Sequence, residues 1–389
     1  MADPMITRRL VLAGALAAGF SVAGALPASA TGVARPRRGY VHSQAGRLWI
    51  GGRPWHMRGT NCYYLHQVGH DLIDDVLDDA AAMGLTAVRA WGFADGTARA
   101  STPLQPEAFV YDDDAFDSLD YAVAAAGRRG LRLVLPLVNN WPDYGGMAQY
   151  VSWILGLPDD SYGDSDGRTT NHDRFYTDAT IRNCYRSWAR HFVNHRNTYT
   201  GLRYNADPTI AAFELANEPR CRSDASGDTL TSWAAQMSRY VSSLAPHQMV
   251  AVGDEGFLGR TGDPDFPYSG YDGVDWPALI ALPAVDYGSV HLYPENWGGP
   301  SSADPVGWGV AWIKEHRRIA AKARTPMVLG EFGLSDHDIR DDAYRQWTQA
   351  SGDWLVWMLT AQSDTAPTPQ DYRIYYPSST ASVLSDAVT

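Results

Sequence analysis

The chain repeats one alternation: a short apolar run, then a longer stretch in which apolar residues recur at helical spacing. Residues 55–65 ("WHMRGTNCYYL") are predicted to contain a strand and residues 71–84 ("DLIDDVLDDAAAMG") a helix that ends at a glycine. Residues 85–93 and 131–141 are the next two predicted strands. Between them, residues 112–130 predict a helix with acidic residues at its positive end and two arginines at its negative end.

The alternation continues to the C-terminus. Further helices are predicted at about 175–195, 229–244, 304–322 and 341–350, with a last short helix after Tyr376. The strands between them are a run ending at Leu215, "MVAVG" from 249, "YGSVHLY" ending at Tyr293, "MVLGEFG" near Glu331, and "WLVWML". Eight strand–helix units with continuously apolar strands indicate a parallel sheet that helices cover on its outer face.

This pattern predicts the α/β class and a (β/α)8 TIM barrel. Two apolar runs flank Gly51-Gly52 in "RLWIGGRPW", which predicts an N-terminal β-hairpin that caps one end of the barrel. A doubly wound open sheet is the alternative architecture. That fold normally carries a glycine-rich phosphate loop after its first strand, and "RGTNCYYLHQVGHD" contains neither GxGxxG nor GxxxxGK.

The chain of 389 residues fits one barrel domain. Residues 1–30 predict an export signal, with paired arginines, an apolar run and the small residues Ala28-Ser29-Ala30 before the cleavage point. The paired arginines favour twin-arginine export, and general secretory export is the alternative. We therefore expect a secreted, extracellular protein, in which 31–38 is a short leader and 39–389 is a single (β/α)8 catalytic domain.

Composition restricts the class of partner. The formal net charge of −12 argues against nucleic acid or a membrane surface, because both attract basic patches. The 14 Trp and 21 Tyr residues indicate a flat, neutral ligand. Cys62, Cys184 and Cys221 allow one disulfide and one free thiol, and their spacing is not that of a metal site. We predict a monomer with no cofactor and no metal.

Polar residues follow the predicted strands at the points where the strands end. In a parallel barrel these positions surround one opening, which is where such folds carry their chemistry. Any one of them alone is more simply a solvated loop residue, but a series at aligned strand ends indicates a shared site. The positions are Asn61, Arg89, Asn139-Asn140-Trp141, Asn217-Glu218, Asp254-Glu255, His291, Tyr293, Glu331 and Trp357.

Two carboxylates stand out because glycosidic hydrolysis needs one acid and a second carboxyl group that attacks or activates water. Glu218 and Glu331 are 113 positions apart but follow the fourth and seventh strands, so a barrel can bring them together. A separation of about 5 Å would predict retention of configuration. We expect a raised pKa for Glu218 and a lowered one for Glu331, which Arg89 would hold ionised, although that ion pair could be purely structural. Tyr293 is expected to donate a hydrogen bond to Glu331.

The segments "FELANEPRC", "LVNNWPDYGGMAQYVSW", "VGDEGF", "VHLYPENW" and "VLGEFG" resemble glycoside hydrolase family 5, in particular its endo-β-1,4-mannanase subfamily, over about residues 38–376. The resemblance implies a (β/α)8 barrel and a retaining double displacement, with Glu218 as acid/base and Glu331 as nucleophile. The substrate-binding or orienting residues that it implies are Arg89, Asn140, Trp141, Asn217, Arg220, Glu255, His291, Tyr293, Trp297 and Trp357.

The resemblance also implies roles for three of these residues. It places Asn217 at the sugar 2-hydroxyl, Trp357 under the sugar at the cleavage point, and Arg220 on the leaving side. Trp141 and Trp297 could line further subsites or pack at the barrel rim, and His291 is interpreted as an orienting residue.

The resulting prediction is a secreted endo-hydrolase of β-1,4-mannans, including glucomannan and galactomannan, with β-mannan polysaccharides and mannooligosaccharides as its partners. A β-1,4-glucanase or an exo-β-mannosidase on the same scaffold is the alternative. A non-catalytic sugar-binding barrel would require one of the two glutamates to be absent or misplaced. A metal-dependent hydrolase is disfavoured because the sequence shows neither an HxH strand end nor a clustered His/Asp set.

Overall fold

A computed structural model describes residues 39–98, 100–163, 167–260, 262–364 and 372–388. The predicted export signal (1–30) and leader (31–38) lie outside the described residues, so the route of export, the location of the protein and these boundaries stay predictions. None of the helices in the described ranges is both long enough and apolar enough to cross a lipid bilayer.

The predicted N-terminal hairpin is confirmed. Strands β1 (Val41–Gln44), β2 (Arg47–Ile50) and β3 (Arg53–Pro54) form a small antiparallel sheet, and β2 and β3 are joined at Gly51-Gly52. Its buried side chains Val41 and Leu48 belong to the apolar cluster that fills one end of the barrel. The hairpin therefore caps the barrel, as the sequence predicts.

The predicted barrel is also confirmed. In the described part of the chain, eight mutually parallel strands form one sheet, with neighbours in the order β8-β7-β6-β5-β4-β11-β10-β9. Their bounds are Arg58–Asn61 (β4), Ala87–Arg89 (β5), Arg132–Pro136 (β6), Ile210–Glu214 (β7), Met249–Ala251 (β8), Gly288–Leu292 (β9), Met327–Phe332 (β10) and Trp354–Val356 (β11).

Hydrogen bonds join the first and last strands of this order, β8 and β9, and so close the sheet. The backbone N–H of Asp286 donates to the Val250 carbonyl over 2.7 Å, and the Asp286 carboxylate accepts from the Val250 N–H. Further along, the His291 N–H donates to the Glu255 carbonyl over 3.0 Å. The sheet therefore closes around a single interior, with the carboxyl ends of all its strands at one opening.

Helices surround the sheet. Their bounds are His70–Ala82 (α1), Asp117–Arg128 (α2), Gly146–Leu155 (α3), Arg174–Thr177 (α4), Ala179–Asn194 (α5), Asp228–Leu244 (α6), Trp276–Ile280 (α7), Pro294–Trp297 (α8), Gly299–Ala303 (α9), Pro305–Ala323 (α10), His337–Ser351 (α11) and Ser379–Asp386 (α12). The sequence pattern predicts the longer helices, except for α3.

Helix α3 begins in the middle of the "NNWPDYGGMAQYVSW" segment, where turn residues obscure the helical period. Gly146 has a φ of +65°, and a Cβ at this position would lie 2.2 Å from the Trp141 carbonyl oxygen. A glycine is therefore required for the helix to start so close to the end of β6. This close start holds Trp141 and its neighbours at the barrel opening.

Three buried tryptophans tie the outer helices to the strands. Each indole N–H crosses from its helix to a backbone carbonyl at or just beyond a strand and satisfies a polar group in the core. The bonds are Trp188 to the Leu137 carbonyl (2.8 Å), Trp276 to the Ser289 carbonyl (2.8 Å) and Trp312 to the His291 carbonyl (3.1 Å). The last bond fixes the backbone of a site residue.

The sequence allows one disulfide, but the structure does not form one. Cys62, Cys184 and Cys221 are all buried free thiols. Each lies in the main apolar cluster, where it packs as a small hydrophobic residue.

Candidate active site

The carboxyl ends of the strands form an open cleft. Its lining is rich in aromatic rings and also contains the two glutamates singled out from the sequence. The lining residues are Trp91, Trp141, Asp143, Asn217, Glu218, Arg220, Arg222, Glu255, Phe266, Tyr293, Asn296, Trp297, Glu331, Trp357 and Tyr372. Asn140 and His291 are buried beneath this surface and contact two of its residues, Arg220 and Glu218.

The backbone at Glu218 adopts a left-handed conformation that residues other than glycine rarely take. Its φ is +52°, and its N–H donates to the Gly253 carbonyl over 2.8 Å. A Cβ on Gly253 would lie 2.0 Å from the Ala216 carbonyl oxygen, so a glycine is needed beside this turn. Such conformations persist only where the surrounding structure enforces them. Here the conformation places the Glu218 side chain in the cleft.

Two side chains hold the Glu218 carboxylate. His291 Nδ1 lies 2.7 Å from Oε1, and the Trp141 indole N–H donates to Oε2 over 2.6 Å. The prediction that His291 is an orienting residue therefore has a geometric basis. One face of the Trp141 ring is covered by the Arg220 guanidinium, whose carbon lies 4.8 Å from the ring centroid.

Glu331 faces Glu218 across the cleft. Arg89 donates to its Oε1 over 2.6 Å, and the Tyr293 hydroxyl donates to Oε2 over 2.7 Å, as the sequence predicts. A carboxylate oxygen of Glu331 lies within 4.8 Å of one from Glu218. This short separation is typical of retaining glycosidases, in which no water has to fit between the carboxylate and the sugar.

Arg89 is fully buried and makes hydrogen bonds to four polar side chains at the centre of the site. Besides Glu331, its guanidinium donates to Glu214 Oε2 (2.7 Å), Asn217 Oδ1 (2.9 Å) and Asn61 Oδ1 (3.2 Å). Asn217 donates one amide hydrogen to Asn139 over 3.0 Å, which leaves its second N–H for another acceptor. The guanidinium thus fixes the positions of both the Glu331 carboxylate and the Asn217 amide.

A second buried arginine orders the other side of the cleft. Arg220 makes a bidentate pair with Glu255 (2.6 and 2.7 Å) and contacts Asp272 over 3.1 Å. Its backbone N–H donates to the Asn140 side chain over 3.1 Å. Fork-to-fork pairing of this kind fixes the plane of the guanidinium as well as its position. Asn140 and Glu255 are therefore placed to orient Arg220.

Aromatic rings form the walls of the cleft. Trp357 stacks on Tyr63, with centroids 5.3 Å apart and planes 5° from parallel. Trp297 lines the cleft and also packs edge-to-face against Phe257 and Trp312, so it does pack at the barrel rim, and its role in a sugar subsite stays a prediction. Flat apolar faces of this kind suit the C–H faces of a sugar ring.

Comparison with known proteins agrees with this geometry. A family model described as glycoside hydrolase family 5, β-mannosidase-like, matches residues 38–355. The chain belongs to glycoside hydrolase family 5. It is 38% identical over 348 residues to mannan endo-1,4-beta-mannosidase 8 of Oryza sativa subsp. japonica, covering 82% of this chain and 90% of that protein.

Solved family 5 structures are similar as well. The endo-beta-1,4-mannanase from Thermotoga petrophila superposes with a TM-score of 0.78 at 35% identity, over 87% of this chain and 77% of the other. The endo-1,4-beta-mannanase from Rhizomucor miehei gives 0.79 at 31% identity, over 90% and 99%.

The sequence predicts a raised pKa for Glu218 and a lowered pKa for Glu331. Both directions are wrong for the site without substrate. Burial acts to raise the pKa of Glu218, but the hydrogen bond and charge of His291, the charge of Arg220 and the Trp141 bond outweigh it and lower that pKa to about 2. Burial raises the pKa of Glu331, and the charge of Glu218 adds to this effect despite His291 and Arg89. Spacing along the chain could not show that His291 and Trp141 both contact Glu218.

Several residues of the site were not predicted from the sequence. Glu214 lies in the apolar strand β7, where it pairs with Arg89 and accepts from the Tyr287 hydroxyl over 2.8 Å. The available signal was a carboxylate within a buried strand, which has to be paired. Asp272 comes from a loop without a periodic pattern, and Tyr63 lies just beyond β4 in the segment predicted to contain a strand, so the sequence carries no comparable signal for either.

Proposed function

We propose that this family 5 chain is a secreted, retaining endo-β-1,4-mannanase that cleaves internal bonds of mannan, glucomannan and galactomannan. The observation that carries the proposal is the pair of carboxylates, Glu218 and Glu331, within 4.8 Å in an open cleft lined with aromatic rings. The relatives named as mannan endo-1,4-beta-mannosidases support the substrate class. The export pattern in residues 1–30 supports secretion.

Glu331 is the proposed nucleophile. Its carboxylate attacks the anomeric carbon while the bond to the leaving oxygen breaks, and a covalent glycosyl-enzyme forms. Arg89 and Tyr293 orient the carboxylate by their hydrogen bonds and leave one lone pair of each oxygen free. Glu218 donates the proton that the leaving oxygen needs, and later takes one from the water that hydrolyses the intermediate.

His291 is the proposed store of that proton. In the free site it lies 2.7 Å from Glu218, and the charges of Glu331 and Glu218 raise its pKa against the opposing effect of burial. Because its lowered pKa keeps Glu218 ionised in the free site, the proton passes from His291 Nδ1 to Glu218 and from Glu218 to the leaving oxygen. When Glu218 later takes a proton from water, it passes that proton back to Nδ1, and both groups regain their starting states. Proton number is conserved over the two steps.

A titration of the His291 imidazole tests this arrangement. In Glu331→Gln or Glu218→Gln, we expect the pKa of His291 to fall, because burial remains while an attracting carboxylate is lost. The measurement is NMR of the imidazole resonances against pH. His316 is an internal control, because its nitrogens contact only backbone carbonyls and burial lowers its pKa to about 4. An unchanged His291 pKa in both variants would contradict the proton store.

The raised pKa of His291 also determines how stability depends on pH. Because the folded pKa of His291 is raised, its ion pair contributes fully below the ordinary value of about 6.5 and is lost as the pH rises through the folded pKa. The lowered pKa of Glu218 affects stability at low pH. Its contribution is present above about 4.3 and is lost as the pH falls towards about 2.

Product analysis separates the proposed function from the alternatives. With mannan, we expect a ladder of mannooligosaccharides early in the reaction, because an open cleft admits internal segments of the polymer. Carboxymethylcellulose and xylan digested in parallel are the controls. Mannose as the sole early product would indicate an exo-β-mannosidase, faster cleavage of carboxymethylcellulose a glucanase, and no cleavage of any substrate a binding protein.

A further inference from the structure

A second group of potential metal ligands lies outside the cleft. His191 and His195 are four positions apart at the C-terminal end of α5, and Asp113 lies before α2. One ligand atom from each of the three lies within 4.8 Å of the other two. The sequence predicts no clustered His/Asp set, but the "HFVNH" spacing, with imidazoles at i and i+4, was the missed signal.

The distances in this group suit a small cation. Asp113 Oδ1 lies 2.9 Å from His191 Nε2 and 3.4 Å from His195 Nδ1. A tetrahedral Zn²⁺ at about 2.0–2.1 Å from each ligand requires ligand atoms that are roughly 3.3 Å apart. Both distances from Asp113 are close to this value, and the two imidazole nitrogens lie within 4.8 Å of each other, so side-chain movements would bring all three atoms around one ion.

The contact of His195 with Asp120 strengthens this interpretation. Its Nε2 lies 3.1 Å from the buried carboxylate of Asp120, which also accepts from the Tyr204 hydroxyl and from the N–H and hydroxyl of Thr198. Because a carboxylate accepts, Nε2 donates to Asp120, and the other ring nitrogen, Nδ1, faces Asp113 on the opposite side of the ring. An ion bound between Nδ1 and the Asp113 oxygen would take the Nδ1 lone pair and replace any proton held there.

The surroundings hold both imidazole rings in place. His191 stacks on Tyr111 with centroids 4.2 Å apart, and His195 stacks on Phe116 at 4.0 Å. Asp120 fixes the second nitrogen of His195, as carboxylates do for the histidine ligands of zinc. The ligand geometry is thus largely formed in advance.

We propose that Asp113, His191 and His195 bind a divalent transition-metal ion, with Zn²⁺ preferred and water as the fourth ligand. Two imidazoles and a carboxylate form the donor set that zinc accepts, whereas calcium and magnesium prefer oxygen ligands. The Asp113 side chain is 69% exposed, so the site is open to solvent. The three ligands line an open surface cavity that Arg190 and Arg196 also border. Arg190 donates to the Tyr240 hydroxyl and Arg196 to the Gly201 carbonyl, so both guanidinium groups are bound to other partners.

A bound ion would join the end of α5 to the segment that leads into α2. Because the three ligands meet only in the folded chain, binding stabilises the fold by mass action. The site shares no residue with the lining of the cleft, so we expect it to act on stability without taking part in the chemistry.

Calorimetric titration with ZnCl₂ tests the site, using chelator-treated protein without a polyhistidine tag. The titrations are done in Glu331→Gln, because Glu218, His291 and Glu331 form a second group that could take a metal. We expect one Zn²⁺ per chain, with affinity at least about 100-fold weaker in Asp113→Asn and His191→Gln. His70→Gln is the matched control, since His70 also contacts an aspartate (Asp117) and stacks on a tyrosine (Tyr121) but has no second imidazole.

Two further readouts make the result decisive. Co²⁺ in place of Zn²⁺ should give the intense visible absorption of a tetrahedral site, and saturating Zn²⁺ should raise the Tm by about 3 °C or more, in the His70→Gln control but not in the ligand variants. Absence of stoichiometric binding, or equal binding in Asp113→Asn and His191→Gln, would overturn the proposal. The three residues would then be only an ion-paired end of α5.

Discussion

Glu331→Gln is expected to lower kcat for mannan by about 10⁴-fold or more, because the amide cannot form the glycosyl-enzyme. The substitution preserves shape and leaves both hydrogen-bonding neighbours, Arg89 and Tyr293, in place. Binding of mannooligosaccharides should therefore remain measurable by calorimetry while turnover is lost. The measurement is the initial rate of reducing-end release, with binding followed in parallel.

The companion variant Glu218→Gln distinguishes the two roles. With mannan, loss of the acid should cost about 10²- to 10⁴-fold in kcat/KM. With an aryl β-mannoside whose phenol leaves without protonation, formation of the glycosyl-enzyme should be nearly unaffected, and a burst of phenol should precede slow turnover. Glu315→Gln, at a surface ion pair with Arg260, is the control and should retain full activity. A burst in Glu331→Gln rather than in Glu218→Gln would reverse the assignment.

Arg89→Met is expected to lower the free energy of unfolding by about 3–5 kcal/mol, since it leaves the buried carboxylates Glu214 and Glu331 without their cation. Activity should fall as well, because Glu331 and Asn217 lose the donor that positions them. Chemical denaturation followed by tryptophan fluorescence measures the first effect and mannan hydrolysis the second.

Two further variants complete this test. Arg89→Lys keeps a charge but cannot reach all four acceptors, so its loss of stability should be smaller while its activity stays low. This variant remains informative if Arg89→Met does not fold. Arg345→Met removes an exposed ion pair with Asp342 and should change stability by less than about 1 kcal/mol. Equal stability of Arg89→Met and Arg345→Met would show that the buried network is not needed for folding.

The parts of this molecule that follow from local patterns could be predicted. Continuous apolar strands, helical periodicity and Gly51-Gly52 are local signals, and they gave the barrel and its hairpin cap. The meeting of Glu218 and Glu331 also followed, because parallel strands place their carboxyl ends at one opening. The contacts of Asn217 with Arg89 and of Tyr293 with Glu331 also arise because these residues follow parallel strands.

Features that depend on three-dimensional contacts could not be predicted in this way. The pKa of Glu218 depends on His291 and Trp141, which are 73 and 77 positions away in the chain. Helix α3 was hidden because its start requires the close approach of Gly146 to Trp141, which no helical period reveals. Asp113, His191 and His195 come from two different segments, and only the packing of those segments brings them together.

The three buried thiols have a consequence for where the fold can form. Burial raises the pKa of Cys62, Cys184 and Cys221, to about 11 for Cys184, so little thiolate is present to react with oxidants. With all three unpaired, the core is complete without an oxidation step. The barrel can therefore reach its final form in a reducing cytoplasm and keep it in an oxidising exterior.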